Sequence, residues 1–275
     1  MKPAPFDYVQ ARSLREAVDL VAQYGPDARL LAGGQSLIAM LNMRLVTPRI
    51  LIDISEMSAS AYIRTSDDHI TIGCATRQSE VERWPELKRY APLLLLVLPW
   101  IGHIQTRSRG TICGSIAHAD PSSELPLCLV LLNGQVDLVS AERTRTIDGA
   151  AFYDGVLQTA RRSGEVISQV RFPLLPPSYG VAFNELGQRR GDFAIVAVAA
   201  IATSDTIRLA VAGASDRPET CELGVMSGKD LDDSLNAFAW SLNCQDDLHA
   251  TARYRRQLIR ALGRKTIEEA LACRS

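Results

Sequence analysis

Three prolines within five residues, Pro173, Pro176 and Pro177, divide the chain and constrain its architecture more than any other feature. Proline fixes φ and lacks an N–H, so a tandem pair with a third nearby stiffens an exposed connection and continues neither a helix nor a central strand. One unit is therefore expected over residues 1–175 and a smaller one over 178–275. A chain of 275 residues exceeds a typical single domain, so two cores fit its length.

The first unit itself reads as two parts. Over residues 1–55, Ser13 can cap a helix in which Leu14, Ala17, Val18 and Val21 recur at helical spacing, and Gly25-Pro26 can stop it. A buried strand at 29–32, a glycine turn, a helix with Leu37, Met40, Leu41 and Leu45 on one face, and a strand at 50–54 complete a small α/β arrangement. From 56 to 175 the pattern predicts two strands around Asp67-Asp68, mainly helix over 78–104, and a polar, glycine-bearing stretch over 107–115. Apolar runs at 127–132 and 135–139, split by Asn133-Gly134, read as strands, as do 145–147 and 165–172. Beyond the prolines, strands at 179–185, 194–203 and 207–212 precede helices, the last over about 250–272. The whole is expected to be α+β.

Composition narrows the function. With 47% hydrophobic and 22% charged residues the chain is globular, not disordered. Thirty Lys and Arg against thirty-one Asp and Glu leave a net charge of -1, which gives no general attraction to nucleic acid or anionic lipid. The six cysteines fall singly, without a C-x-x-C pair, and predict reduced thiols in a cytoplasmic protein. The opening MKPAPFDYVQ lacks the apolar core of a signal peptide, and the apolar run 91–101 is short and broken by Pro92 and Pro99, so no membrane span is expected. No Ser-His-Asp or Cys-His set is legible, and no catalytic side chain or metal ligand is assigned. His69 and His249 read as surface residues, His103 and His118 as loop hydrogen-bonders, Trp84, Trp100 and Trp240 as packing anchors, and the arginines of 253–264 as a solvated helix face.

Chemistry concentrates in two glycine loops. In LLAGGQSL, residues 30–37, two glycines between a strand and a helix permit positive φ and let backbone N–H groups approach an anion. It is neither a Walker loop nor G-x-G-x-x-G. The second, 103–126, joins Gly110 and Gly114 to the hydroxyls of Thr111 and Ser115 and the acids Asp120 and Glu124. Two small-residue loops in one domain can grip one pyrophosphate from both sides.

AGGQS at 32–36 with RGTICGSIAHADPSSELP at 109–126 resembles the flavoprotein (medium) subunits of the molybdenum hydroxylases, the xanthine dehydrogenase and carbon monoxide dehydrogenase flavin subunits. RRGDFA at 189–194 and HATARYRRQLIRAL at 249–262 extend the resemblance over nearly the whole chain. It implies an FAD-binding domain of the vanillyl-alcohol oxidase (PCMH) type in two subdomains, and a C-terminal α+β domain. Leu30, Leu31, Ala32, Gly33, Gly34, Gln35, Ser36 and Leu37, with Thr111, Ile112, Cys113, Gly114 and Ser115, would hold the diphosphate. Ile101 would neighbour the flavin, Glu124 meet ribityl or ribose hydroxyls, Ile167 lie near the adenine, and Asn184 occupy a contact position often filled by lysine. Cys113 departs from the usual Thr-Ile-Gly-Gly, placing a side chain where the backbone is bare.

The same resemblance implies partners: a small subunit with two [2Fe-2S] clusters and a large subunit with the molybdopterin cofactor, as a dimer of heterotrimers. Electrons would pass from the clusters through FAD to an external acceptor. The alternatives are a stand-alone FAD-dependent oxidase and a scaffold subunit without flavin.

Overall fold

The computed structural model describes residues 2–274. The first part comprises β1 (Asp7–Gln10), α1 (Leu14–Tyr24), β2 (Ala28–Leu31), α2 (Leu37–Asn42) and β3 (Ile50–Asp53), its strands forming a parallel sheet in the order β1-β3-β2. Ser13 Oγ accepts the Glu16 N–H at 3.2 Å while Glu16 accepts the Arg12 N–H at 2.8 Å, so the start of α1 is satisfied from both directions. Ala17, Val18 and Val21 form its buried stripe, and Gly25, at φ +54°, ends it. β1 was not expected: DYVQ is mostly exposed and becomes a strand through its pairing with β3.

The second part is an antiparallel sheet covered by short helices. β4 (Ile63–Thr65) and β5 (His69–Gly73) form the expected pair around Asp67-Asp68. Then follow α3 (Gln78–Glu82), α4 (Leu87–Tyr90), α5 (Pro92–Val97), α6 (Ile104–Arg109), α7 (Ile112–His118) and α8 (Glu124–Leu131). β6 (Gln135–Val139), β7 (Thr144–Asp148), α9 (Gly149–Phe152), the ribbon of β8 (Tyr153–Gly155) with β9 (Gln158–Thr159), and β10 (Val166–Pro173) complete it. β10 runs through the centre of the order β4-β5-β10-β6-β7.

Two expectations are corrected here. Residues 127–132 are not a strand but belong to α8 and its C-cap. ELPLCLVL is apolar nearly all round and buried at every position, so no periodicity separates a buried helix from a buried strand. Residues 107–115 are not a loop: they end α6 and begin α7, with only Gly110 and Thr111 between the two helices.

The third part is a four-stranded antiparallel meander of β11 (Gly180–Gly187), β12 (Ala194–Ala202), β13 (Thr206–Ala212) and β14 (Glu219–Gly224), covered by α10 (Gly228–Ser241) and α11 (Ala252–Ala272). β14 was not anticipated. β12 is buried along its whole length: Ala197, Ala199 and Ile201 join the core of the preceding parts, while Val196, Val198 and Ala200 join a second core under the helices. Gly180 lets β11 touch α11, since a Cβ there would stand 1.8 Å from the Ala270 carbonyl oxygen. The face expected to be solvated includes a buried arginine. Arg255 donates to the carbonyl oxygens of Ile195 at 2.6 Å and Gly213 at 2.5 Å and pairs with Asp247, tying α11 to the sheet. Trp240, expected to pack, is exposed with the Arg256 guanidinium over its ring. Among the described residues no helix is long and apolar enough to cross a membrane.

Candidate cofactor site

The two glycine loops meet. A Cβ on Gly33 would lie 2.3 Å from the Arg109 carbonyl oxygen, so the β2–α2 loop packs directly on the backbone between α6 and α7. Both loops are braced from behind. Gly34 takes φ +73°, and the Ile38 N–H returns to its carbonyl at 3.1 Å. Gly110 accepts the Gln78 N–H at 2.8 Å, and Thr111 Oγ1 caps α7 by accepting the Gly114 N–H at 3.0 Å. On the first loop the five successive N–H groups of Gly33, Gly34, Gln35, Ser36 and Leu37 have no partner among the described residues. All five residues line one cavity of about 770 Å³, within the size range of small-molecule sites. Consecutive free N–H groups at a strand-to-helix turn suit an anion.

The cavity has two distinct ends. At one, Ile101 and Gly102 meet Gly191, Asp192 and Phe193 from the β11–β12 turn. Gly191 sits so close to this wall that a Cβ would come within 2.8 Å of the His103 ring. Arg107 fixes the same wall by donating to Glu82 at 2.9 and 3.0 Å and to the Ile101 carbonyl at 3.1 Å. Glu124 also lines the cavity, and Pro121, three residues before it, accepts the Gly213 N–H at 2.8 Å, which ties this segment to the third part. At the opposite end the lining comes from Val21, Pro26 and Arg29 on one side and Arg161, Arg162, Gly164 and Ile167 on the other.

Electrostatics differ along the cavity. Burial pushes the Glu124 carboxyl up to about 7, with Asp120 adding to the rise. Burial lowers the basicity of His118, which lines the cavity rather than tying down a loop. Arg161 is lowered by burial and by the like charge of Arg29. The Cys113 thiol, 3% exposed, points at the Ile72 carbonyl 3.8 Å away; burial and then Cys74 raise its pKa well above the ordinary value. It is a core thiol at the cavity edge and does not cover the loop.

Of the residues expected at the site, Leu30, Ala32, Gly33, Gly34, Gln35, Ser36, Leu37, Ile101, Thr111, Cys113, Gly114, Ser115, Glu124 and Ile167 line this single cavity. Three do not. Leu31 is drawn into the ladder with Asp53, and Ile112 is fully buried in the core. Asn184 faces the other side of β11, where it donates to Thr266 Oγ1 at 3.1 Å and Glu269 Oε2 at 2.6 Å on α11. The sequence reading missed Arg29, Arg161 and Arg162. It quoted Gly191, Asp192 and Phe193 within RRGDFA, but nothing local tells that this turn folds back to the cavity.

Comparison with known proteins agrees with this geometry. Residues 4–175 match the family described as the FAD binding domain in molybdopterin dehydrogenase. The 6-hydroxypseudooxynicotine dehydrogenase complex subunit alpha of Paenarthrobacter nicotinovorans is 36% identical, covering 98% of this chain and 96% of that one. The glyceraldehyde dehydrogenase medium chain of Sulfolobus acidocaldarius is 33% identical, covering 98% and 99%. A chain of carbon monoxide dehydrogenase from Hydrogenophaga pseudoflava, in a form lacking the Mo-pyranopterin moiety of the molybdenum cofactor, superposes with a TM-score of 0.95 at 28% identity over the full length of both. Loop pair, cavity and likeness along the whole chain converge: the protein belongs to the family of FAD-binding subunits of molybdopterin dehydrogenases.

Proposed function

We propose that this chain is the FAD-carrying subunit of a cytoplasmic molybdenum-containing hydroxylase, with an iron-sulfur small subunit and a molybdopterin large subunit in a dimer of heterotrimers. The observation that carries the reading is the run of five unpartnered N–H groups from Gly33 to Leu37 lining the cavity. They fit a diphosphate, and Ser115 of the second loop lines the same cavity and could add a hydroxyl donor. Ile101 and Phe193 would hold the flavin ring, and Arg29, Arg161 and Ile167 the adenosine. Residues 1–175 supply both loops, and residues 178–275 close the ring end through Gly191, Asp192 and Phe193.

The bound flavin supplies the redox chemistry. The protein binds the diphosphate, orients the ring and shields it: Ile101 excludes water from one side and Phe193 offers an aromatic face at the mouth. The relatives are named for substrates as unlike as a nicotine derivative and glyceraldehyde, which supports placing substrate choice in the large subunit and electron delivery in this one. Purified protein should carry one non-covalent FAD, released to the supernatant by acid precipitation. A colourless protein that takes up no added FAD would leave only the scaffold reading, and flavin reduction by an organic substrate in the isolated chain would favour a stand-alone oxidase.

A further inference from the structure

Buried polar side chains near the glycine loops are tied down by the fold. Asp53 accepts the Tyr8 hydroxyl at 2.6 Å and the Ser55 N–H at 2.8 Å, and Thr76 Oγ1 accepts the Tyr62 N–H and donates to the Tyr62 carbonyl, both at 2.9 Å. Gln78 differs. It is 4% exposed, its Oε1 is buried without a partner, and its side-chain amide forms no hydrogen bond among the described residues. Of the buried side-chain atoms left without a partner among those residues, Gln78 Oε1 is the one that belongs to a residue lining the cavity of about 770 Å³.

The backbone fixes where this amide stands. Gln78 begins α3; just before it Arg77 pairs with Thr111 in an antiparallel bridge, and Thr76 accepts the Ile112 N–H at 3.2 Å. The Gln78 N–H donates to the Gly110 carbonyl at 2.8 Å, and Oε1 lies 3.2 Å from the point that a Cβ on Gly110 would occupy. Gly110 packs on Gly33 of the first loop on one side. On the other its N–H donates to the Thr106 carbonyl at 2.7 Å, and Thr106 stands 3.0 Å from where a Cβ on Gly102 would be. Gln78, Gly102, Thr106 and Gly110 all line the cavity. The amide is thus held between the N–H groups of the first glycine loop and the wall of Ile101 and Gly102. A buried amide without a partner costs more than an apolar side chain of the same shape, so its place beside a cavity calls for a partner that arrives with the ligand.

We propose that Gln78 is a binding residue for the cofactor, its amide pairing with the ribityl hydroxyls of the flavin. The chemistry selects that part of the molecule. An amide needs a donor for its oxygen and an acceptor for its nitrogen; a diphosphate only accepts, whereas a hydroxyl does both. Position agrees, because the ribityl chain joins the diphosphate to the ring, as Gln78 joins the loop to the ring wall. The ligand's identity rests on the FAD reading above.

The test uses the full-length chain, freed of FAD, with two probes. FAD carries the ribityl chain; ADP carries the adenosine and the diphosphate without it. Gln78→Met and Gln78→Leu remove the amide and keep an apolar side chain of similar size. Both should weaken FAD about tenfold, the loss of one or two hydrogen bonds, and leave the ADP dissociation constant unchanged. Without FAD both should melt no lower than the wild type, since they remove an amide that the fold leaves unpaired, and the absorption bands of bound flavin should keep their positions. Unchanged FAD constants overturn the proposal. So does a loss that ADP shares, or one that comes with lower melting of both FAD-free variants, because either marks a structural role; displaced flavin bands would put the contact on the ring and overturn it as well. A wild type that takes up no FAD refutes the cofactor reading and this proposal with it, whereas equal FAD constants in proteins that all take it up refute the proposal alone.

Discussion

Gly33 and Gly110 are packed backbone to backbone: a Cβ on Gly33 would stand 2.6 Å from Gly110 Cα, closer than side-chain carbons come to any neighbour. Gly33→Ala must therefore push the two loops apart. It should abolish FAD binding and lower the melting temperature, while Gly155→Ala, where a Cβ meets nothing within 4 Å, should change neither. Flavin content and thermal melts of both variants check this; a Gly33→Ala protein with full flavin and unchanged melting refutes the contact.

The other two loop glycines fail for different reasons. Gly34 holds φ +73°, which a β-branched residue adopts only with strain, so Gly34→Val should lose FAD and about 1–3 kcal/mol of stability. At Gly114 a Cβ would come 2.7 Å from Thr111 Oγ1, the atom that caps α7. Gly114→Ala should displace that cap at a cost of about 1 kcal/mol and weaken FAD, and Gly114→Val should abolish binding. Equilibrium unfolding and FAD titration separate the two effects.

Cys113 is turned into the core toward Ile72, so its thiol should not influence the cofactor. Cys113→Ala should keep FAD affinity and the rate of oxygen-dependent reoxidation. In the folded protein a thiol reagent should label exposed Cys273 and spare Cys113. Changed reoxidation with binding intact would show that the thiol reaches the flavin.

Glu185, buried on β11 with Oε2 lacking a hydrogen-bond partner, makes the protein sensitive to alkali. A carboxyl with a higher pKa folded than unfolded binds more protons when folded, so stability falls as pH rises from the ordinary value of 4.5 through the folded one, about 8 for Glu185. The loss is about 1.4 kcal/mol per unit while only the unfolded form is ionised. Glu185→Gln should melt higher than the wild type at pH 8, with the difference shrinking toward pH 5. Melting curves of the FAD-free proteins across that range check it.

The N-terminal glycine loop was readable because its meaning is local: a buried strand, two glycines and a helix are consecutive, and the backbone conformation follows from them. The second loop was recognised by its small residues but taken for irregular chain, because Gly110 ends one helix and Thr111 at once caps the next, and neither helix has an apolar stripe long enough to announce itself. Residues 127–132 failed for the opposite reason, being apolar on every side. Asn184 shows where carrying a position over by resemblance stops: the strand was placed correctly, but one residue along a strand reverses the face, and Asn184 faces α11 while Phe183 turns to the other side and meets Trp100. Arg29 and Arg161 escaped because their juxtaposition depends on two chain segments meeting across the cavity.

The β11–β12 turn that closes on His103 also sets a schedule. Gly191, Asp192 and Phe193 lie beyond the prolines, so a growing chain reaches Leu175 with both glycine loops made and this wall of the cavity still missing. On the proposed placement of the flavin, tight capture should wait for the hairpin to be synthesised and docked, so that yellow colour becomes a certificate of completion: a chain that stops early, or is nicked before this turn, should leave the ribosome or the protease unable to keep its flavin.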